Sequence, residues 1–295
     1  VASGRRLLTV QDWYVFALAG LLLIGTQRFL YKVAAASDAS TPLTTFAFMA
    51  SVAVMSGLLV LLTGAEVQAP VFLVLISLAN SLTFSAATMA HIQSLKHVPA
   101  SLAYPLIRLN IVLVVLFSVL FLEERLDAWQ WLGVAAAAAA MALLSRHWVD
   151  GSGGQVGNRR GMLLVGLAML SGALSSITCK FAAVSVNTLA FIGLSYCFST
   201  LFVLATSPRM FAGGTSRRGR AVSIGLVMGV FNLAGFYAFL QALSSGPLSL
   251  VASINGMHFM VAVFLARLIY KERITARAGL GLALTIVSLL LLRGS

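Results

Sequence analysis

Arg108 is the residue whose type and setting need an explanation first. It stands in the apolar run PLIRLNIVLVVLF, nine residues past Pro99. At 1.5 Å per helical residue that is roughly 13 Å into a hydrocarbon core about 30 Å thick. A guanidinium at that depth either lines a water-filled cavity, where it attracts an anion, or pairs with carbonyls and polar groups to lock a helix bundle. Tyr104 falls one turn earlier on the same face, and Pro105 is expected to loosen the backbone there.

A second apolar run, 148 residues further on, carries Asn255 and His258 at matching depth and three residues apart, hence on one face. They read either as a polar floor opposite Arg108 or as ordinary structural partners. Lys180 and Lys32 occupy equivalent places late in their spans. Lys180, beside Thr178, either faces the cavity or snorkels to the interface, whereas Lys32 is expected at the interface and Arg28, one turn before it, could point inward. Asn80 and Asn232 lie mid-span and could bind a substrate or bridge helices. The expected substrate-binding set is therefore Arg108, Tyr104, Asn255, His258, Lys180, Asn232 and Asn80.

All eight carboxylates fall at span ends or in connections, so no buried acid is positioned to carry a proton for cation export. Mid-membrane cations without an opposing acid favour anionic or carboxylate-bearing solutes. Neither a nucleophile elbow, a His-Glu-x-x-His pair nor a cysteine ligand cluster is present, and the glycines from Gly151 to Gly157 lack the Gly-Lys-Ser/Thr ending of a phosphate loop. No enzyme activity, metal or cofactor is expected.

What must position these residues is a duplication. At an offset of 148, Ala90, Gln93, Leu95, Pro99, Ser101 and Leu102 meet Ala238, Gln241, Leu243, Pro247, Ser249 and Leu250, and Glu124-Arg125 meets Glu272-Arg273. With 60% hydrophobic and 9% charged residues, the chain reads as an all-α, multi-pass membrane protein whose lipid-facing surface needs no charge. Proline, glycine and charge divide residues 1–145 into spans at about 13–34, 42–63, 70–92, 99–122 and 128–145. Residues 146–160 form a polar linker, and 161–295 hold spans at about 161–184, 188–206, 220–243, 247–269 and 275–292. Five is odd, so the second copy enters the bilayer from the opposite face, giving ten helices in two inverted five-helix repeats, with a substrate site between them.

The net charge of +12 comes from basic clusters at the ends of apolar runs, as topology determinants are placed, and not from a nucleic-acid stripe. Arg5, Arg6, Arg125 and Arg293 share the face of the termini, and the opposite loops hold more basic residues, which puts the termini outside. Cys179 and Cys197 lie in apolar stretches and suggest no disulfide. Small residues, Ala135 to Ala140 and the Gly225, Gly229 pair, are expected at tight helix contacts within the chain or in a homodimer. The Glu-Glu-Arg and Lys-Glu-Arg loops are expected to hold their own turns by ion pairs and capping.

The 5+5 duplication, the PxSL span start, the Glu-Arg loop some twenty residues later and the small-residue helix headed by Gly133 or Gly281 together resemble the EamA-like branch of the drug/metabolite transporter superfamily. The resemblance covers nearly the whole chain. It implies transport of small metabolites through the lipid bilayer by a monomer or homodimer, with both termini in the cytoplasm, against the charge tally. It leaves the solute open, from amino acids to phosphorylated sugars.

Overall fold

The computed structural model describes residues 12–37, 39–67, 69–94, 97–98, 103, 106–147, 159–206, 215–270 and 276–293. Their helices are α1 (Asp12–Ala36), α2 (Thr41–Thr63), α3 (Pro70–Ser94), α4 (Asn110–Phe121), α5 (Ala128–His147), α6 (Arg159–Ser185), α7 (Thr188–Thr206), α8 (Thr215–Ser245), α9 (Leu248–Gly256), α10 (Phe259–Tyr270) and α11 (Ala276–Leu292). Seven segments are long and apolar enough to cross a membrane, one of them the combined α9–α10 run Leu248–Tyr270. Three shorter apolar helices, Leu106–Phe121, Ala128–Met141 and Gly279–Leu292, complete ten spans in two inverted repeats of five. The expected start of the fourth span at Pro99, together with Tyr104 and Pro105, lies outside the described residues.

Local signals set several boundaries. Pro42 occupies the first turn of α2, where no amide hydrogen is needed, and Gly64 closes that helix in the left-handed conformation at φ 58°. Asp127 and Gln130 form a reciprocal capping box at the start of α5: the Gln130 N–H donates to Asp127 Oδ1 (2.7 Å) and the Asp127 N–H to Gln130 Oε1 (3.1 Å).

The packing repeats when the copies are exchanged. α1 lies on α8 as α6 lies on α3; α2 lies on α8 as α7 lies on α3; α1 meets the α9–α10 run as α6 meets α4. Further contacts join three helices to their own counterparts, α2 to α7, α4 to α9 and α5 to α11, and α6 to α8 within the second copy. The halves are thus interleaved, and each helix depends on the other copy for its packing.

Lipid is as apolar as the helices, so close approach rather than water exclusion holds them together. The Gly225, Gly229 pair lies in such a contact within the chain: a Cβ on Gly225 would fall 2.7 Å from Ala47 Cβ, and one on Gly229 would overlap Ser51 Oγ. Ala137 and Ala140 are fully buried on α5, and Ser288 of α11 donates to the Gly133 carbonyl at 2.8 Å.

Candidate substrate site

The fourth span of each copy tightens at the same place. Leu109 and Met257 are equivalent under the 148-residue offset. The Leu109 N–H bonds to the Leu106 carbonyl and the Val112 N–H to that of Leu109; the Met257 N–H bonds to Ile254 and the Met260 N–H to Met257. Each is a three-residue step where an α-helix takes four, and it separates α9 from α10. A mid-helix stretch of this kind marks a hinge, and discontinuous helices near the midplane are where carriers build their sites. Polar side chains cluster at the two steps: Arg108 and Asn110 in one copy, Asn255 and His258 in the other.

Small residues of neighbouring helices let the backbone come close. A Cβ on Gly25 of α1 would sit 2.4 Å from the His258 carbonyl oxygen and 2.5 Å from Val261 Cβ, and one on Gly172 of α6 would reach Asn110 Nδ2 at 3.0 Å. Both steps are therefore clasped by the first helix of the opposite repeat.

Arg108 and His258 are brought together. The Arg108 guanidinium carbon lies 5.5 Å from the centroid of the Phe259 ring, a cation–π placement. His258, 9% exposed, holds the Asn255 carbonyl with Nδ1 at 2.7 Å, so Nδ1 carries the hydrogen and Nε2 faces other groups. Asn255 Oδ1 is buried without a hydrogen-bond partner. Two guanidiniums, Arg28 and Arg108, act on His258 electrostatically; Arg28 also acts on Tyr196, and Arg108 on His91. Arg28 is exposed on a helix that packs on α8, α9 and α10.

Three of the sequence candidates make hydrogen bonds between helices. Asn80 Nδ2 donates from α3 to α6, within 3.1 Å of the Ser175 carbonyl and 2.9 Å of Thr178 Oγ1. Asn232 Oδ1 accepts the Tyr196 hydroxyl, which bridges α8 to α7. Lys180 Nζ donates to the carbonyls of Leu243 (2.7 Å) and Gly246 (2.9 Å), a cation on the C-terminal carbonyls of α8. Tyr104 lies outside the described residues. Sequence reasoning passed over Tyr196, a mid-span tyrosine where the other copy has Phe48, and His91, in the last turn of α3.

The Glu-Glu-Arg loop does more than hold its own turn. Glu123 reverses the chain at φ 53°, and Glu124 then reaches into the other repeat. Its carboxylate accepts the N–H groups of Leu248 (2.6 Å) and Ser249 (3.1 Å) and the Ser249 hydroxyl (2.5 Å), capping α9 where an anion is favoured. Lys180 lies within electrostatic reach of the same carboxylate, so both groups grip the turn between α8 and α9.

Among the described residues the arrangement has no carboxylate in mid-span: Asp12 opens α1, and Glu66, Glu123, Glu124 and Asp127 stand in connections. Residues 11–146 and again 159–294 match the EamA-like transporter family. An "uncharacterized transporter in cobO 3'region" of Sinorhizobium sp is 34% identical over 146 residues, 46% of this chain and 97% of that protein, which is about one repeat long. The probable 4-amino-4-deoxy-L-arabinose-phosphoundecaprenol flippase subunit ArnE of Yersinia pestis is 43% identical over 53 residues, 18% of this chain and 46% of its own. One solved crystal structure superposes with a TM-score of 0.72 over 95% of each chain at 17% identity, which is a likeness of fold.

Proposed function

Since the chain belongs to the EamA-like transporter family, we propose that this multi-pass membrane protein is a secondary carrier for small solutes bearing a carboxylate or phosphate, working by alternating access of its two repeats. The observation that carries the solute class is the place of Arg108 against Phe259, next to His258, where both fourth spans break, with Arg28 within electrostatic reach of the same histidine. A solute anion there meets two guanidiniums, with the Asn255 amide and His258 Nε2 to read its polar remainder. Asn80, Asn232 and Lys180 hold the walls in register. Chemistry on the solute has no part in this reading: the protein binds, excludes lipid and releases.

A thermal-shift screen of the purified protein against anionic, zwitterionic and cationic metabolites tests it, because a ligand at 100 times its Kd stabilises the fold by about 2.7 kcal/mol. Anions and carboxylate-bearing zwitterions should raise the midpoint. Stabilisation confined to lipophilic cations would overturn the solute class.

A second reading draws on the similarity to the ArnE subunit: the anion would be the phosphodiester of a lipid-linked sugar. Protection by a polyprenyl phosphosugar but by no water-soluble anion would select it, and movement of a fluorescent lipid-linked analogue between leaflets of proteoliposomes would then follow.

A further inference from the structure

The two repeats build one pair of equivalent seams from different residues. Where α2 meets α8, Ala47 and Ser51 face Gly225 and Gly229 so closely that no side chain fits on either glycine; a Cβ on Gly225 would also lie 2.8 Å from the Thr44 carbonyl oxygen. Where α7 meets α3, the same four places are Ser195, Ser199, Ser77 and Ser81. Ser81 and Ser199 share a hydrogen bond at 2.9 Å. One turn earlier on the same faces of the two parallel helices, Ser77 and Ser195 are 0% and 3% exposed, and both hydroxyls lack any hydrogen-bond partner.

Buried hydroxyls are nearly always satisfied, and leaving one unpaired destabilises the arrangement that does so. Two unpaired hydroxyls at adjoining positions have one shared remedy, which is to bond each other when the seam tightens. The glycine seam offers no counterpart: its glycines carry no hydroxyl, the Ser51 hydroxyl already donates to the Phe48 carbonyl of its own helix at 2.8 Å, and the helices are so close that no Cβ fits on either glycine.

We propose that α3 and α7 form the moving seam of the transport cycle, with Ser77 and Ser195 pairing in the alternate state, while α2 and α8 remain closed as the fixed one. Ser81–Ser199 is the pivot that keeps the register. This deepens the carrier reading above and is independent of the solute's charge.

Spin labels test it without a substrate. In a Cys179→Ser, Cys197→Ser background, labels at Thr88→Cys and Thr206→Cys straddle the serine seam, and labels at Thr41→Cys and Gly219→Cys straddle the glycine seam; all four positions are exposed. Two distance populations are expected across α3–α7 and one across α2–α8. Ser77→Ala, Ser195→Ala and the double variant should each collapse the first pair to the same single population, because either change removes the alternate-state bond. A single population across α3–α7 in the unsubstituted background, two populations at both seams, or additive shifts in the alanine variants would overturn the proposal. Failure here leaves the anion screen untouched, and an anion-free screen leaves this test intact.

Discussion

Phe48 and Tyr196 occupy the same place in the two repeats, and their rings meet edge to face with centroids 5.8 Å apart. Equivalent residues touch only where the axis relating the copies passes between them, so α2 and α7 flank that axis. The atom by which the pair departs from symmetry, the tyrosine hydroxyl, is the one that reaches Asn232. Aromatic faces from Tyr31 and Phe236 continue the cluster on either side.

Tyr196→Phe restores the symmetry of the ring pair and leaves the Asn232 carbonyl oxygen without its donor. The cost should be about 1–3 kcal/mol, read as a lower thermal midpoint in detergent. Adding Asn232→Leu should recover part of the loss, since both polar partners are then gone. A Tyr196→Phe protein as stable as the parent would mean the hydroxyl contributes nothing.

Glu124→Ala removes the cap from α9 and the link between repeats that goes with it. Loss of such a cap costs about 0.5–2 kcal/mol, and Glu124→Gln, which keeps an acceptor oxygen, should lose less. Neighbouring Glu123 gives the opposite sign. It holds a left-handed backbone at φ 53°, so Glu123→Gly should stabilise by up to about 1 kcal/mol. Chemical denaturation of the three variants checks the order; equal stability of Glu124→Ala and the parent would sink the cap.

The repeat, the odd helix count and the inversion were legible because they follow from apolar run length and a fixed offset, which need no knowledge of contacts. The cluster of Arg108, Asn255 and His258 was legible for a similar reason: charge at mid-depth is costly enough to stand out. The interhelical hydrogen bonds of Asn80 and Lys180 were not legible, because residue type and depth are the same whether the partner is a solute or a carbonyl of another helix. The reach of Glu124 was hidden for a different reason. A loop carboxylate normally serves its own turn, and only the interleaving of the halves brings the start of α9 beside it.

Gly25→Ala tests whether close backbone approach at the α9–α10 break matters. The new methyl would lie 2.4 Å from the His258 carbonyl oxygen and 2.5 Å from Val261 Cβ, so α1 must shift, at a cost of about 1–3 kcal/mol. Gly57→Ala is the control: nothing lies within 4 Å of its added carbon, and helix propensity alone should stabilise by about 0.5–1 kcal/mol. Thermal midpoints of the two variants should move in opposite directions. A midpoint that rises in Gly25→Ala as it does in Gly57→Ala would show that the break tolerates a side chain.

Arg108→Ala separates a solute-binding guanidinium from one that only locks the bundle. Both roles predict some loss of stability in the free protein, because the contact with Phe259 goes in either case. Only the binding role predicts that the anion most protective of the parent becomes weaker by about 10- to 100-fold, the equivalent of about 1.5–3 kcal/mol for a charge-assisted contact. Arg108→Lys keeps the charge but not the planar fork, and should fall between the two. Thermal-shift titrations of parent, lysine and alanine proteins with that anion give the affinities directly. An alanine variant that melts lower yet binds the anion with unchanged affinity would assign Arg108 to the bundle and leave Arg28 as the residue to substitute next.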